Sequence, residues 1–439
     1  MKYKNLILVT LLGILLLFRP PADPDFGWHF KYGEYAIQNR QILKENIFSY
    51  TMPNYEWANS YWLSQIVLYT LYTGMGAVGM ALVLSALFSL VSYKILGDKI
   101  LAIFLLFLFL GEYLIVVRPL FYSSIFLLIL AHQLLYKKKL AWWLPIMFLF
   151  WANMHADFAL GLVILGAYIL NNLFRRHRER SVAISLAGTG ILCVLVTLIN
   201  PYGIGLWETL LRESHPLQFL HIAEWTPFKF ANDVEGLVMQ NAIYIVGGLL
   251  VSAAIMKKEK YGFWYTALSI LFFLISLRAR YFFRILLILN IFVFDEFWIQ
   301  NLKKISIPKY VEEKINKLKG VYFVLLMLVS VGFFSINVWQ AADIKRWSAR
   351  YGYPYEKVQE LKQNPTEGNI FNSYDWGGYL IWHLPGYKTF VDGRMPSWRH
   401  ENGYSVFEDY LEIVKKDNKE LLEGYKEKYN IQIILSDDI

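Results

Sequence analysis

Two aspartates lie two positions apart in "FRPPADPDFGWHFKYGEY", Asp23 and Asp25, with His29 four residues further on. Three kinds of chemistry fit them. Asp23 could cap a short helix that begins at Pro24, since a carboxylate beside a helix start accepts otherwise unpaired N–H groups. Two carboxylates and an imidazole could hold a divalent ion. One carboxylate in a partly dry site could take the proton of an attacking hydroxyl. The last reading is preferred, with Asp25 ahead of Asp23 because Phe26 and Trp28 flank it.

Other polar residues recur at the ends of apolar runs. "RPLFYSS" carries Arg118, "WANMHADF" carries Asn153, His155 and Asp157, and "HIAEWTPF" carries His221 and Glu224. "RARYFFR" holds Arg278, Arg280 and Arg284 within seven residues. Guanidinium binds phosphate through paired charge-assisted hydrogen bonds, so these arginines and Arg118 are candidates for a lipid-linked phosphate. Arginines at such ends also snorkel to ordinary headgroups. His155 reads equally as a hydrogen-bonded packing residue, and Glu224 as a solvated loop residue.

The elements that must position these groups are apolar. Of 439 residues, 56% are hydrophobic and 18% charged, well below the roughly 25% of soluble domains. Mean hydropathy is +0.35, and aromatics reach 17%, as suits membrane interfaces. The composition is that of an integral membrane protein. A lone Cys193 excludes a disulfide framework. The net charge of +8 sits largely in short loops, where it reads as topology and not as a nucleic-acid surface.

Apolar runs fall near 5–18, 78–95, 100–117, 120–136, 141–154, 157–174, 181–199, 238–256, 261–277, 281–299 and 320–338, about eleven spans. Lys2 and Lys4, Lys94 and Lys99, Lys137 to Lys139, Arg175 to Arg180, Lys257 to Lys260, and Lys303 with Lys304 occupy alternate connections. Those connections should be cytoplasmic. The N-terminus is then inside, and the acidic stretch, Arg118, His155, Asp157, Glu224 and the arginine trio all face outward. Residues 62–74, "WLSQIVLYTLYTG", would misplace Lys94 if they spanned, and are taken as a juxtamembrane or re-entrant helix. The first run lacks a small-x-small cleavage site, which favours an anchor over a signal peptide. The expected division is a membrane domain, 1–340, with a first outer loop at 19–76, and an extracytoplasmic α/β domain at 341–439. That second domain should have strands at "KTFVDGR" and "IQIILS" around one helical stretch, "FEDYLEIVKKDNKELLEGYKEKY". Gly377 and Gly378 suit a tight turn. Asp392, Gly393 and Arg394 would end a strand, where acceptor-binding groups or a plain turn could sit.

The order "DPDFGWHFKYGEYAI", "IFSYT", "EWANSYWLSQ", "RPLFYS", "WANMHADFALG", "NPYG", "EWTPF", "YDWGGYLIWHLPGYKTFVDGR" resembles that of a group of multispanning prokaryotic proteins. The layout resembles the GT-C superfamily of membrane glycosyltransferases, which includes protein O-mannosyltransferases, oligosaccharyltransferases and lipid A aminoarabinose transferases. The resemblance implies an inverting hexosyl- or pentosyltransferase of the cell envelope. Its donor would be a polyprenyl-phosphate sugar, and its acceptor a glycan, protein or lipid at the outer face of the cell membrane. Asp25 or Asp23 would activate the acceptor, and Arg278, Arg280, Arg284 and Arg118 would bind the donor phosphate. His29, His155, Asp157 and Glu224 would complete the site. Asp-Pro-Asp with a following histidine departs from the Asp-Glu or Glu of better-known members, which leaves the choice of aspartate and any divalent metal open. Gly-rich nucleotide loops are absent. An O-antigen polymerase or ligase would depend less on the first-loop aspartate. A flippase or transporter would place its polar groups near the midplane.

Overall fold

The computed structural model describes the chain except for residues 1, 19–22, 112–116, 138–139, 175–179, 213–221, 223–224, 227–233, 303, 305–307 and 438. His221 and Glu224 therefore lie outside the described residues, as do Lys138, Lys139, Arg175, Arg176, Arg178 and Lys303.

Apolar runs fold as helices because a helix satisfies its own backbone hydrogen bonds whatever surrounds it. In chain order they are α1 (Lys2–Leu17), α2 (Phe26–Asn39), α3 (Trp62–Leu96), α4 (Ile100–Gly111), α5 (Leu120–Tyr136), α6 (Leu144–Met154), α7 (Phe158–Leu173), α8 (Arg180–Val196) and α9 (Gly205–Arg212). Further long helices are Val234–Met256, Phe263–Ser276, Tyr281–Phe294 and Lys309–Ala341. Helix Tyr281–Phe294 is the central strut. It packs on Val234–Met256, Phe263–Ser276, α4 and α5, and every residue from Phe283 to Val293 is buried. The opposite side joins α1 to α3, α4 and Lys309–Ala341.

Among the described residues, one helix, Trp62–Leu96, is by itself long and apolar enough to cross a bilayer. A second span arises if Met327–Ala341 and Ile344–Arg350, bent by 115°, count as one. Other apolar helical stretches of the described residues, Ile243–Met256 and Phe263–Ser276 among them, run 10–17 residues, shorter than the roughly 20 that a perpendicular crossing needs. The expected run 141–154, for example, delivers the 11-residue α6, because Pro145 sets the helix start and His155 ends it in extended backbone. The fold is thus a bundle of apolar helices, and about eleven full spans are more than these lengths establish.

Within α3, Gly76 has φ +69°, a backbone only glycine adopts freely, and it breaks the helix into 62–75 and 77–96. Residues 62–74 are therefore a unit distinct from the apolar run that follows.

The last hundred residues hold one buried cluster of their own, which includes Trp347, Val358, Ile370, Tyr379, Leu380 and Leu435, and share a second with the first loop. Trp28, Tyr32, Leu43, Tyr50, Met52 and Trp57 of the first loop share one buried cluster with Phe371, Phe390, Trp398, Phe407 and Tyr410. A bridge between Ser49 and Thr389 and the Tyr50 hydroxyl bond to the Ile370 carbonyl stitch them further. Strand β1 (Asn369–Asn372) pairs in parallel with β2 (Ile431–Leu435). "IQIILS" is thus a strand, but "KTFVDGR" contributes only the Thr389 bridge, since a turn begins at Gly393. The single helical stretch is two helices, Val406–Lys416 and Lys419–Tyr429. Asp417, at φ +52°, stops the first and the Asn418 side chain caps the second. Gly377 and Gly378 do not make a turn. They open helix Gly377–His383, and their missing side chains let it lie against α2. A Cβ on Gly378 would overlap the Pro24 carbonyl, and one on Gly27 the Gly378 carbonyl.

Candidate functional site

A cavity of about 970 Å³ opens between the helical bundle and the C-terminal region. Its size falls in the range that holds small-molecule ligands. It is lined by Asp23, Asp25, Trp28 and His29 from the first loop and α2, by Arg118 before α5, and by His155 and Asp157 between α6 and α7. Tyr281 at the start of the strut helix lines it too, and the C-terminal region adds Tyr353, Tyr374, Asp375, Gly393, Arg394 and Lys415. Segments far apart in sequence therefore meet at one surface.

The two aspartates are held differently. Asp23 does not cap the helix, which begins at Phe26. Its Oδ1 accepts the Asp25 N–H at 2.7 Å, and its Oδ2 pairs with the Arg118 Nε. The Asp23 side chain is 1% exposed and that of Asp25 is 26%. Asp25 accepts the Trp28 Nε1–H at 2.9 Å and lies 3.4 Å from an Arg118 terminal nitrogen. Gly393 comes so close that a Cβ there would overlap the Asp25 carboxylate. Burial pushes the Asp25 carboxyl up to about 6, with Asp392 and Asp375 adding repulsion and the Trp28 bond opposing.

The opposite corner is built round Asp157. Tyr281 donates its hydroxyl to Oδ1 at 2.5 Å, and Arg284 gives a terminal nitrogen to Oδ2 at 2.5 Å. The other terminal nitrogen of Arg284 reaches Ser124 Oγ at 3.0 Å. Arg284, expected to face a phosphate, is buried behind Asp157 instead. An uncompensated guanidinium is costly in an apolar bundle, so it takes the nearest carboxylate as its partner. Tyr281 stacks on Trp225, with centroids 4.7 Å apart and planes 13° from parallel.

Of the four arginines, Arg118 alone lines the cavity among the described residues. Arg280 reaches Thr226 Oγ1 at 3.3 Å, and Arg278 is exposed at the helix end outside the lining. The expected donor-phosphate set is thereby scattered, because Arg278 and Arg280 precede the helix that begins at Tyr281 whereas Arg284 lies inside it.

His29 and His155 are both buried and lie against the Tyr61 ring, each with its centroid 5.3 Å away. Burial, more than any neighbour, pushes His155 down to about 4 and His29 well below its usual value. Asp23, Asp25 and His29 do not converge as ligands, and among the described residues no three His, Cys, Asp or Glu side chains do.

Arg394, from the stretch expected to bind ligands, is locked within the protein. It holds Asp392 through Nε at 2.7 Å and a terminal nitrogen at 2.6 Å, and it donates to the Tyr32 hydroxyl at 2.9 Å. It fastens α2 to the C-terminal region. Tyr281, Asp375 and Lys415 had no role in the sequence reading, and Gly393 was read only as part of a strand end. Tyr281 sits inside "RARYFFR" and Asp375 and Gly393 inside "YDWGGYLIWHLPGYKTFVDGR", so the motifs contained them without saying which side chains face the cavity.

The whole fold is similar to that of archaeal oligosaccharyltransferases. The Archaeoglobus fulgidus oligosaccharyltransferase AglB, in complex with an inhibitory peptide and a dolichol-phosphate, aligns with a TM-score of 0.55 at 12% identity. That alignment covers 99% of this chain and 69% of AglB. The apo form of the Archaeoglobus fulgidus oligosaccharyltransferase gives 0.53 at 10% identity, with the same coverage of both chains. The form tethered to an acceptor peptide gives 0.52 at 12%, covering 99% and 68%. At such identities the likeness is one of fold alone. No family model and no curated protein matches the chain.

Proposed function

We propose that the protein is a membrane glycosyltransferase that moves a sugar from a polyprenyl-phosphate carrier to an acceptor, with inversion and with Asp25 as base. The observation that carries this reading is Asp25 itself, a partly exposed carboxylate with a raised pKa in a cavity of ligand size, on a fold like that of lipid-linked glycan transferases. At pH 7 a group titrating near 6 is mostly ionised yet basic enough to take a proton. The acceptor O–H gives its proton to Asp25 as its oxygen bonds the anomeric carbon. The bond from that carbon to the phosphate oxygen breaks, and its electron pair leaves on polyprenyl phosphate.

Asp23 is the positioning partner. It orients the Asp25 backbone and Arg118, and Arg118 is placed to balance charge as the phosphate departs. Arg280 is the second candidate for the phosphate, whereas exposed Arg278 suits lipid headgroups. The acceptor is a glycan, protein or lipid. The proposed setting is the cell membrane, crossed many times, with the N-terminus in the cytoplasm and the cavity outside, as the Lys and Arg distribution favours.

The test incubates purified protein with a panel of polyprenyl-phosphate sugars and follows release of polyprenyl phosphate. Wild type should turn over at least one donor, and Asp25→Asn should not. If well-folded wild type releases sugar from none of them, the reading falls.

A further inference from the structure

We infer that His29 and His155 form a pair of neutral Nε2–H donors that grip hydroxyl oxygens of the transferred sugar. This rests on the glycosyltransferase reading and names the residues that recognise its substrate.

The tautomers follow from groups whose polarity is fixed. The Tyr61 backbone N–H donates to Asn59 Oδ1 at 3.1 Å, so Asn59 Nδ2 is the end that donates to Gln65 Oε1, at 2.8 Å. Gln65 then presents Nε2 to His29 Nδ1 at 3.1 Å. An amide nitrogen can only donate, so His29 Nδ1 is an acceptor and its proton is on Nε2. His155 needs one step: the Asp157 backbone N–H donates to His155 Nδ1 at 3.2 Å, which again leaves the proton on Nε2. The Asp157 carboxylate is 3.6 Å from the same Nδ1, too far to compete as a hydrogen bond, and Arg284 and Tyr281 already occupy it.

Both imidazoles are more than nine-tenths buried and both line the cavity. Each hydrogen-bonds through Nδ1, neither Nε2 has a protein partner among the described residues, and neither Nε2 is among the sealed-off unpaired atoms. The two Nε2–H groups are therefore open to the cavity, and both rings lie against Tyr61. Asn59 and Gln65 are 0% and 1% exposed, so the relay that sets His29 is itself shut away from water.

The surroundings choose the ligand. The guanidiniums nearest the pair, Arg118, Arg284 and Arg394, each face a carboxylate of the protein, so the histidines do not sit in a field of uncompensated positive charge. Neutral N–H donors in a cavity that also presents the Asp25 carboxylate match a group that both accepts and donates. A sugar hydroxyl does this, taking the Nε2–H on its oxygen and giving its proton to a carboxylate. A site built this way rejects an analogue that lacks the hydroxyl.

The experiment uses full-length protein with 15N-labelled histidine. The His29→Gln and His155→Gln variants assign the two rings, and Gln also keeps an N–H near the Nε2 position. At pH 7 both rings should show neutral Nε2–H signatures, and both Nε2 resonances should move when a polyprenyl-phosphate sugar that the protein turns over is added. In transfer assays His29→Leu and His155→Leu should each lose about ten- to a hundredfold in kcat/KM, as expected when a substrate hydroxyl is left unpaired, while the Gln variants retain most activity. Nδ1–H or cationic rings, unmoved Nε2 resonances during turnover, or Gln variants as impaired as Leu variants would each overturn the clamp while leaving the transferase reading intact. Moved resonances with no transfer from any donor would sink the transferase reading and leave the clamp standing.

Discussion

Asp25 and Asp157 are both aspartates at the wall of one cavity, yet their surroundings assign them opposite work. Asp157 is gripped by Tyr281 and Arg284 on its two oxygens and is nearly sealed. Asp25 is tied more loosely, to one indole N–H and a guanidinium nitrogen at 3.4 Å, and keeps a quarter of its side chain open. The first arrangement fixes a charge in place. The second leaves a carboxylate that can gain and lose a proton. Bonding, more than residue type, separates a brace from the proposed base.

The sharpest way to break that contrast is to make the same substitution in both corners. Asp25→Asn should lower transfer by about a hundred- to ten-thousandfold, the range for a lost general base, with a near-normal thermal unfolding curve. Asp157→Asn should act first on stability, by about 3–5 kcal/mol, because it strands the Arg284 charge inside the bundle. Adding Arg284→Met to Asp157→Asn should recover most of that loss in the same unfolding measurement. Equal destabilisation by both single variants would erase the distinction.

Closer packing gives a smaller effect. Gly393→Ala pushes a methyl against the Asp25 carboxylate. It should cut kcat by about ten- to a hundredfold through misplacement, with little change in unfolding temperature. The pH profile sharpens the picture further. Asp25 must be ionised to accept a proton, so kcat/KM should fall tenfold per unit as pH drops below about 6. Asp375 repels that ionised form, so Asp375→Asn should ease ionisation and move the acid limb to lower pH. The smallest effect belongs to Arg278→Ala. The residue is exposed and outside the cavity lining, so stability should change by less than about 0.5 kcal/mol and transfer should stay close to wild type.

Composition and periodicity carried the helical, apolar character of residues 5–338, because burial of apolar side chains follows from their number and spacing alone. The chemistry-bearing positions were also legible. Asp23, Asp25, Arg118, His155 and Asp157 stand out as polar residues at the ends of apolar runs, and the fold brings all five to one cavity. Helix lengths were only partly legible, because a run of apolar residues does not reveal where Pro145 will start a helix or Gly76 will break one.

Partnership was decided in three dimensions. Arg284 is 127 residues from Asp157, and Arg394 is 362 from Tyr32, so no local pattern could announce either bond. The sequence therefore determined which side chains were chemically able and roughly which end of the bundle they occupied. Tertiary structure decided which carboxylate was paired on both oxygens and which was left partly open with a raised pKa, because a pKa is set by the charges and water around a group, and those neighbours come from elsewhere in the chain.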